Sequence, residues 1–583
     1  MRQFAINLLC VGVSSLLTIT AAADPALDEA IDAYDAYRLW ASPFAEADAN
    51  DTLPDHWPDI SPAATEAAVE KLEAIDARLD AIEEDGLTED ERLNLEILST
   101  IVDGDLALMA FDEERLPFTG DWGFHASVTF QLSRTRITDA ADAEATLKLL
   151  AGVPAFLDAN IENMERGLET GFVSYKDPLE TVIVQIDEII ETPITETGFY
   201  QPFRSLPDHM SDEEKAEYQA QARTLISGVI KKLKAVNYFF KNTYAPQTRE
   251  TAGVVSFPEA KAYYQAVLSH HTTRPDLTPE DVHEIGKSEV ARIRAEMDAI
   301  IEEVGFEGSF AEFLDFLRTD PQFYAQTPEE LMATAARIAK DIDYQMPKFF
   351  YTLPRLSYGV EPVPAAIAPG YTTGRYVGGS LKEGKAGAYW VNTYALDQRA
   401  LYELPSLTAH EAVPGHHHQI ALAQELEDVP EFRRDYYATA FGEGWGLYSE
   451  SLATEMGIYD TPYKRFGKLS YEMWRACRLV ADTGLHWYGW TREEAEKCFI
   501  ENSALSPLNI KTEVTRYIGW PGQATAYKIG ELTIKALREE AETALGADFD
   551  IREFHDVVLE KGSMPLAVLE ERIRTWIASK NVE

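Results

Sequence analysis

Apolar residues recur every three or four positions over most of this chain, with acidic residues on the opposite side of each repeat. One clear example is ATEAAVEKLEAIDARLDAIEED. A period of about 3.6 residues is that of an amphipathic α-helix. The next segment, LTEDERLNLEILSTIV, places Thr88 three residues before Glu91, a capping-box pattern that predicts where its helix begins. We therefore predict a mainly α fold, with residues 24–583 forming a single large helical body.

The stretch between Tyr351 and Tyr394 departs from this helical period. Proline and glycine are dense here, and AYWVNTY has the composition of a short strand that follows a glycine-rich turn. No internal repeat or low-complexity linker divides the sequence. We predict one small β element beside the centre of the helical body.

Residues 1–23 have the parts of a secretory signal: a basic start, an apolar stretch from Phe4 to Ile19 and a small-residue cleavage site at Ala21–Ala23. A membrane anchor and a lipoprotein modified at Cys10 are the alternatives, but Leu9 stands where a lipoprotein would have a small residue. We predict a cleaved signal and a periplasmic or secreted protein. No later apolar stretch is long enough to span a bilayer, so no membrane insertion is expected after cleavage.

The formal net charge of the chain is −46. Binding to nucleic acid depends on a positive surface that releases counterions, so this charge argues against a nucleic-acid partner. We interpret it as a solvating surface, since net charge bears on solubility and steering and not on fold.

Two cysteines, Cys477 and Cys498, remain after the signal. They form no Cys-x-x-Cys pair, so a thiolate zinc site is not predicted. A disulfide between them is compatible with an oxidising compartment, and the sequence leaves this pairing open.

The strongest chemical signal is LTAHEAVPGHHHQIALAQELE, which contains His410-Glu411 and a histidine run that begins at His416. The familiar His-Glu-x-x-His helix holds zinc with two imidazoles one turn apart, beside a glutamate that activates water. Here the next histidine comes six positions after His410, beyond Pro414–Gly415. Proline and glycine suit a bulged or rewound turn that would return His416 to the ligand position. His417 is the alternative ligand, on the correct helical face but two turns away.

A third ligand is expected from the segment GEGWGLYSESLATEMG, which carries Glu443 and, seven residues on, Glu450. Both fall on one face of an otherwise largely apolar helix, and burying a carboxylate without a partner is costly. We predict Glu443 as a ligand and Glu450 as a residue that orients an imidazole. With His410 and His416, Glu443 would form an open site for one Zn²⁺ per chain. The alternative is a surface histidine cluster with adventitious metal affinity and an exposed Glu443.

Four segments, HEAVPGHHHQ, EGWGLYSE, DTGLHWYGW and RYIGWPGQATAY, resemble the bacterial family known as domain of unknown function 885. The similarity runs from the first helices after the signal to the C-terminus. Members are regarded as mainly helical zinc metallopeptidases of the gluzincin type. The arrangement is also similar to helical cleft peptidases such as angiotensin-converting enzyme, which implies a deep central cleft above the zinc helix. The Pro-Gly insertion departs from the zinc motif of those enzymes.

The resemblance implies further roles. Arg516-Tyr517 is similar to an Arg-Tyr pair in which the tyrosine stabilises the oxyanion, and Tyr527 is the alternative donor or a substrate-binding residue. His486 in DTGLHW is either a substrate-binding residue or a buried histidine whose partners lie within the protein. Asn392, in the predicted β element, could hold a peptide backbone as an added strand.

We therefore predict a zinc-dependent hydrolase of peptide bonds in short peptides. Glu411 would take a proton from the attacking water and return it to the leaving amine, and Tyr517 would stabilise the oxyanion. Two alternatives remain: a zinc hydrolase of non-peptide amides or esters, and a non-catalytic periplasmic metal-binding or substrate-binding protein. The sequence predicts neither an oligomeric state nor a preferred cleavage position.

Overall fold

The structure, a computed structural model, describes residues 24–580 except 121, 366–367, 369–370, 383 and 428. The predicted signal, residues 1–23, lies outside the described residues. The mainly α fold is confirmed, since helices account for most of the chain and the strands form a single small sheet. Among the described residues no helix has the length and apolar character needed to cross a membrane.

The first half of the chain is helical throughout. Its helices are α1 (Pro25–Ala41), α2 (Pro43–Ala49), α3 (Pro62–Leu79), α4 (Glu89–Met109), α5 (Phe124–Arg134), α6 (Ala140–Thr170), α7 (Lys176–Glu191), α8 (Gln201–Arg204), α9 (Asp212–Phe239), α10 (Ala260–Thr272), α11 (Pro279–Glu303), α12 (Phe310–Thr319) and α13 (Pro328–Gln345). The predicted cap of α4 is confirmed: the hydroxyl of Thr88 accepts from the N–H of Glu91, whose carboxylate accepts from the N–H of Thr88 at 2.7 Å. This reciprocal pair satisfies two backbone donors that a helix start leaves open.

The second half begins with the sheet and returns to helices. These are α14 (Leu404–Glu411), α15 (His416–Gln424), α16 (Glu431–Asp435), α17 (Thr439–Glu455), α18 (Pro462–His486), α19 (Arg492–Asn502), α20 (Pro507–Gly519), α21 (Ala526–Leu545), α22 (Ile551–Leu559) and α23 (Leu566–Lys580). A disulfide between Cys477 and Cys498 joins α18 to α19, with the two Cα atoms 5.6 Å apart.

The sheet consists of β1 (Tyr358–Pro362), β2 (Gly374–Val377) and β3 (Gly387–Val391). β3 lies between β1, to which it is parallel, and β2, to which it is antiparallel. The predicted strand in AYWVNTY is confirmed as β3. Because β2 is an edge strand, alternate backbone groups along it point away from the sheet.

Buried apolar side chains form four clusters. One joins the N-terminal helices α1, α3 and α4 with α13, the sheet, α14, α17 and α21–α23. A second occupies the region of α5–α9, and a third lies among α11, α12 and α18–α20. The single-domain assignment stays a prediction.

Helices α17 and α21 cross at glycines. A Cβ added to Gly444 would lie 2.5 Å from the Cα of Gly530, and one added to Gly530 would lie 1.8 Å from the carbonyl oxygen of Ala440. Both distances are far below van der Waals contact, so neither position accepts a side chain without moving a helix. The two helices therefore pack backbone against backbone at this point.

Candidate metal centre

Three side chains from three helices converge inside the protein. His410 lies near the end of α14, His416 begins α15, and Glu443 lies near the start of α17. One ligand atom from each lies within 4.8 Å of the other two. The Nε2 atoms of His410 and His416 are each 3.4 Å from Oε2 of Glu443. We call these three residues the His-His-Glu cluster.

The two histidines belong to separate helices. α14 ends at Glu411 and α15 begins at His416, so the predicted bulged or rewound turn separates two helices. At this turn the N–H of Gly415 donates to the carbonyl of Ala409 at 3.0 Å, a bond that spans two residues more than one inside an α-helix. A Cβ on Gly415 would lie 1.9 Å from the carbonyl oxygen of His410, so only glycine fits. The result is the predicted one, because His416 lies beside His410.

His417 lies outside the cluster. Its Nε2 is 3.1 Å from the carbonyl oxygen of Leu356, to which it can donate, and its Nδ1 is 3.1 Å from the hydroxyl of Tyr376. Both ring nitrogens therefore have partners near the sheet. Of the two candidate ligands, the structure places His416 at the site.

His410 is fixed by a carboxylate behind it. Its Nδ1 is 2.9 Å from Oε1 of Glu450, which is 3% exposed, as predicted for an orienting residue. If Nδ1 carries the proton that this bond requires, the lone pair of Nε2 points toward Glu443. Gly446 makes room for the ring, since a Cβ there would lie 2.6 Å from Cε1 of His410.

The charges in the cluster are strongly coupled. Burial alone would lower the pKa of His410, but hydrogen bonds with Glu443 and Glu450 outweigh it and raise that pKa to about 9. Burial alone would raise the pKa of Glu443, but His416 and His410 hold it well below its usual value. Glu443 is therefore an anion. Among the described residues it forms ion pairs with these two histidines and with no lysine or arginine.

Glu411 is held by the sheet. Its Oε2 accepts a hydrogen bond from the N–H of Tyr376, on the outer edge of β2, at 2.8 Å. The side chain is partly exposed and directly follows His410 in the chain. A single bond to one oxygen leaves the other oxygen of the carboxylate able to accept a proton.

Tyr517 is not available as the predicted oxyanion donor. It is 0% exposed, and its hydroxyl accepts from Nε1 of Trp474 and Nε of Arg478 and donates to Glu513, at 3.1, 2.8 and 2.9 Å. A phenol oxygen with these three partners has no capacity left for a ligand. Tyr527 is closer to the predicted role. Burial and then the charge of Glu443 raise its pKa, while Arg478 and a hydrogen bond with Gln523 oppose that rise.

The structure also gives internal partners to His486 and Asn392. His486 is 1% exposed; its Nδ1 accepts from the N–H of Val254 at 3.2 Å, and its Nε2 donates to the carbonyl of Tyr517 at 3.0 Å. Asn392 is 0% exposed, and its amide group holds the backbone of Ala368, Tyr371, Thr372 and Tyr394. Neither side chain has a hydrogen-bonding group left for a substrate, so both predicted substrate-binding roles are corrected to structural ones.

Tyr437, which precedes α17, was not predicted from the sequence. Its hydroxyl lies within electrostatic range of Glu443, Tyr527 and Glu411. The side chain is 42% exposed, and desolvation by the surrounding protein, followed by the charge of Glu443, raises its pKa well above the usual value. The only sequence signal was the aromatic pair in RRDYYATAFGEGW, just before the helix that carries Glu443.

The deep central cleft implied by the resemblance stays a prediction. A cleft of about 730 Å³ lies among α1, α3 and α4, and Tyr37, Trp40, Trp57 and Asp105 are among its lining residues. None of the cluster residues is among them.

Fold and site together define a mainly α protein in which two histidines and a glutamate, each from its own helix, form a group that could hold a metal ion. The family profile described as bacterial protein of unknown function (DUF885) matches residues 43–573. The chain belongs to this family. No match was found among curated proteins.

Solved structures that share the fold include two bacterial proteins. One, from Colwellia psychrerythraea, is provisionally described as a lipoprotein; it is 27% identical, with a TM-score of 0.88 over 95% of this chain and 99% of that one. The other, from Shewanella oneidensis, is provisionally described as a lipoprotein of unknown function. It is 17% identical, with a TM-score of 0.71 over 94% of this chain and 99% of that one, and shows similarity of fold alone.

Proposed function

We propose that this protein is a zinc-dependent hydrolase that cleaves peptide bonds in short peptides. The observation that carries the proposal is the 3.4 Å distance from Glu443 to each imidazole. Two atoms that each bind zinc at about 2.0–2.2 Å with tetrahedral geometry lie roughly 3.3–3.6 Å apart. The donor types support the same metal, since two histidines and one carboxylate with an open fourth position are typical of catalytic zinc sites.

Zinc held there would supply Lewis acidity toward a carbonyl oxygen and lower the pKa of water at the site. The chain supplies the proton transfers. Glu411 takes a proton from the water while the oxygen of that water bonds to the carbonyl carbon. It then gives the proton to the amine nitrogen when the carbon–nitrogen bond breaks. The N–H of Tyr376 keeps the Glu411 carboxylate in position for both steps.

Peptides are the favoured substrates for two reasons. The resemblance to gluzincin-type peptidases supports peptide chemistry. The outer edge of β2 also runs beside Glu411, because the N–H of Tyr376 on that edge contacts its carboxylate. An extended peptide can bind to such an edge as an additional strand.

The test combines metal content with turnover. The chain from Asp24 onward is purified, offered zinc, and analysed by plasma mass spectrometry; loss of a mixed pool of short peptides is followed with and without a chelator. We expect about one zinc per chain, by analogy with other three-ligand catalytic sites, and chelator-sensitive cleavage. Glu411→Gln should keep the zinc and lose nearly all turnover, since the amide cannot take up the proton.

Glu431→Gln is the matched control, because Glu431 is an exposed glutamate on α16 and should keep full activity. Zinc binding with hydrolysis of esters but no peptide would favour the non-peptide hydrolase. Zinc binding without any hydrolysis would favour a metal-binding protein. A folded chain that takes up no zinc would overturn the proposal.

We also propose that the protein is exported. The signal-like pattern of residues 1–23 supports this, as does the provisional description of the 27% identical structure from Colwellia psychrerythraea as a lipoprotein. Cell fractionation with N-terminal sequencing tests it; an intact Met1 in the cytoplasmic fraction would contradict it.

A further inference from the structure

The position of Tyr437 is set by a glycine in the ligand helix. A Cβ added to Gly442 would lie 2.1 Å from the Tyr437 hydroxyl oxygen and 2.3 Å from the carbon that bears it. The phenol therefore rests directly on the backbone of α17 at the residue before Glu443. Any side chain larger than hydrogen at position 442 would push the hydroxyl away from this place.

The hydroxyl of Tyr437 is also unengaged. Within the part of the chain that the structure describes, no residue forms a hydrogen bond with it, and the side chain is 42% exposed. Tyr517, by contrast, is 0% exposed, and Tyr527 lies under the guanidinium of Arg478, 4.5 Å from its ring centre, and bonds Gln523. Of these three phenols, Tyr437 has the most exposed side chain, and its O–H group has no hydrogen-bond partner among the described residues.

We propose that Tyr437 donates a hydrogen bond to the carbonyl oxygen of the scissile peptide group, and that this bond strengthens as the oxygen becomes an oxyanion. The inference rests on the proposed function. A donor aimed at developing negative charge stabilises the transition state more than the ground state. Burial, and after it the carboxylates of Glu443 and Glu411, raise the pKa of this phenol, so the expected metal ligand and the acid–base group both lie within electrostatic range of its hydroxyl.

The test is Tyr437→Phe, which removes the hydroxyl and keeps the ring. We expect kcat to fall by about 100- to 1,000-fold, the range for removal of one oxyanion donor, with KM changed little. Zinc content and melting temperature should stay at wild-type values. Tyr238→Phe, at a 69% exposed tyrosine of α9, is the matched control and should have no effect.

A second readout does not depend on turnover. A phosphinic peptide carries a tetrahedral centre, whereas the corresponding product peptide does not. By calorimetry, Tyr437→Phe should weaken binding of the phosphinic peptide by about 100-fold and leave binding of the product unchanged, since transition-state analogues report the donor selectively. Gly442→Ala should reproduce both effects, because its methyl group displaces the hydroxyl.

If the wild-type enzyme is active and Tyr437→Phe has the same kcat and the same affinity for the phosphinic peptide, this inference is overturned and the proposed function is not. A loss confined to Tyr517→Phe would also overturn it and return the role to the residue predicted from the sequence. If the wild-type protein neither cleaves peptides nor binds the phosphinic peptide, the proposed function fails and the inference with it.

Discussion

Carboxylates that are mostly withdrawn from solvent occur at two sites, one around Lys528 on α21 and one at Glu443 on α17, and their charge is neutralised in different ways. In the first, which we call the Lys528 network, Glu289, Glu472 and Glu531 surround the ammonium of Lys528 at 2.8, 2.9 and 2.7 Å. Arg292, Lys468 and Lys535 add further positive charge. In the second, the His-His-Glu cluster, Glu443 pairs with two imidazoles and, among the described residues, with no lysine or arginine.

The difference separates a structural site from a binding site. Burial alone would lower the pKa of Lys528, but the three glutamates raise it, so the network contains its own cations. Such a site needs nothing from solution. The cluster has converging donor atoms and an anionic ligand, and among the described residues its positive charge comes from imidazole protons and not from lysine or arginine. A metal ion can replace those protons, so the cluster can take a cation from solution.

The largest expected effect follows from removing the central cation of the network. Lys528→Met should lower the free energy of unfolding by about 3–5 kcal/mol, because breaking a buried ion pair leaves uncompensated charge. Urea denaturation of metal-free protein measures it. Lys535→Met is the control: its side chain is 34% exposed, so the loss should stay near the ~1 kcal/mol limit of surface pairs. Equal losses in the two variants would contradict a central role for Lys528.

Exchanging a carboxylate for an amide in each group tests the comparison directly. Glu443→Gln should weaken zinc binding by more than about 100-fold, because it removes a charged ligand. This loss is larger than the one expected for a residue that only contacts a ligand, which is about 10- to 100-fold. Glu531→Gln should leave zinc affinity unchanged and reduce stability instead. Titration calorimetry with zinc and urea denaturation provide the two readouts. If both variants lost zinc affinity equally, the two groups would not be separate sites.

A smaller effect is expected from the residue behind the cluster. Glu450→Gln should weaken zinc binding by about 10- to 100-fold, since the amide holds His410 less firmly and makes the imidazole a poorer donor. Competition with a fluorescent chelator measures this change. Glu455→Gln, on the same helix but paired with Arg538, is the control and should bind zinc as the wild type does.

The smallest effect concerns Asp482, a buried carboxylate whose hydrogen-bond partners, the hydroxyl of Tyr264 and the N–H of Gly522, are neutral. It is 0% exposed, and burial, opposed by hydrogen bonds from Tyr264 and Gly522, raises its pKa to about 7. Because the folded state holds this proton more tightly than the unfolded state, the stability it contributes is complete below the unfolded pKa of 3.8 and lost as the pH rises through 7. Between about pH 6 and 7 the loss should be about 1 kcal/mol, and Asp482→Asn should remove it. Urea denaturation at both pH values gives the free energy of unfolding of the wild type and of Asp482→Asn. The same pH dependence in the two proteins would contradict the pKa shift assigned to Asp482.

The sequence was most informative where the deciding interactions are local. The cap of α4 depends on Thr88 and Glu91, three residues apart, and was predicted correctly. The cluster was also accessible, since all its members lie between His410 and Glu443 and carry chemistry that a hydrophobic core rarely tolerates unpaired. Pro414–Gly415 indicated the break between α14 and α15, but these two residues do not determine the direction in which α15 leaves the break.

The roles that required correction depend on partners that are remote in sequence. Whether a buried histidine or asparagine is free for a ligand depends on which backbone groups reach it, and those of His486 come from Val254 and Tyr517. The choice among Tyr437, Tyr517 and Tyr527 likewise depends on how α17, α20 and α21 pack, which no local pattern specifies. The Lys528 network joins α11, α18 and α21 and was not predicted for the same reason.

The glycine crossing of α17 and α21 has an evolutionary consequence. Gly444 sits one residue after Glu443, and any side chain there or at Gly530 would force the helices apart. The Glu443 carboxylate would then move away from the two imidazoles, although none of the three ligand residues had been substituted. A selection for variants that no longer bind metal should therefore yield substitutions at these two glycines as well as at the histidines. A second mutation at one glycine cannot restore the space that a side chain at the other glycine takes.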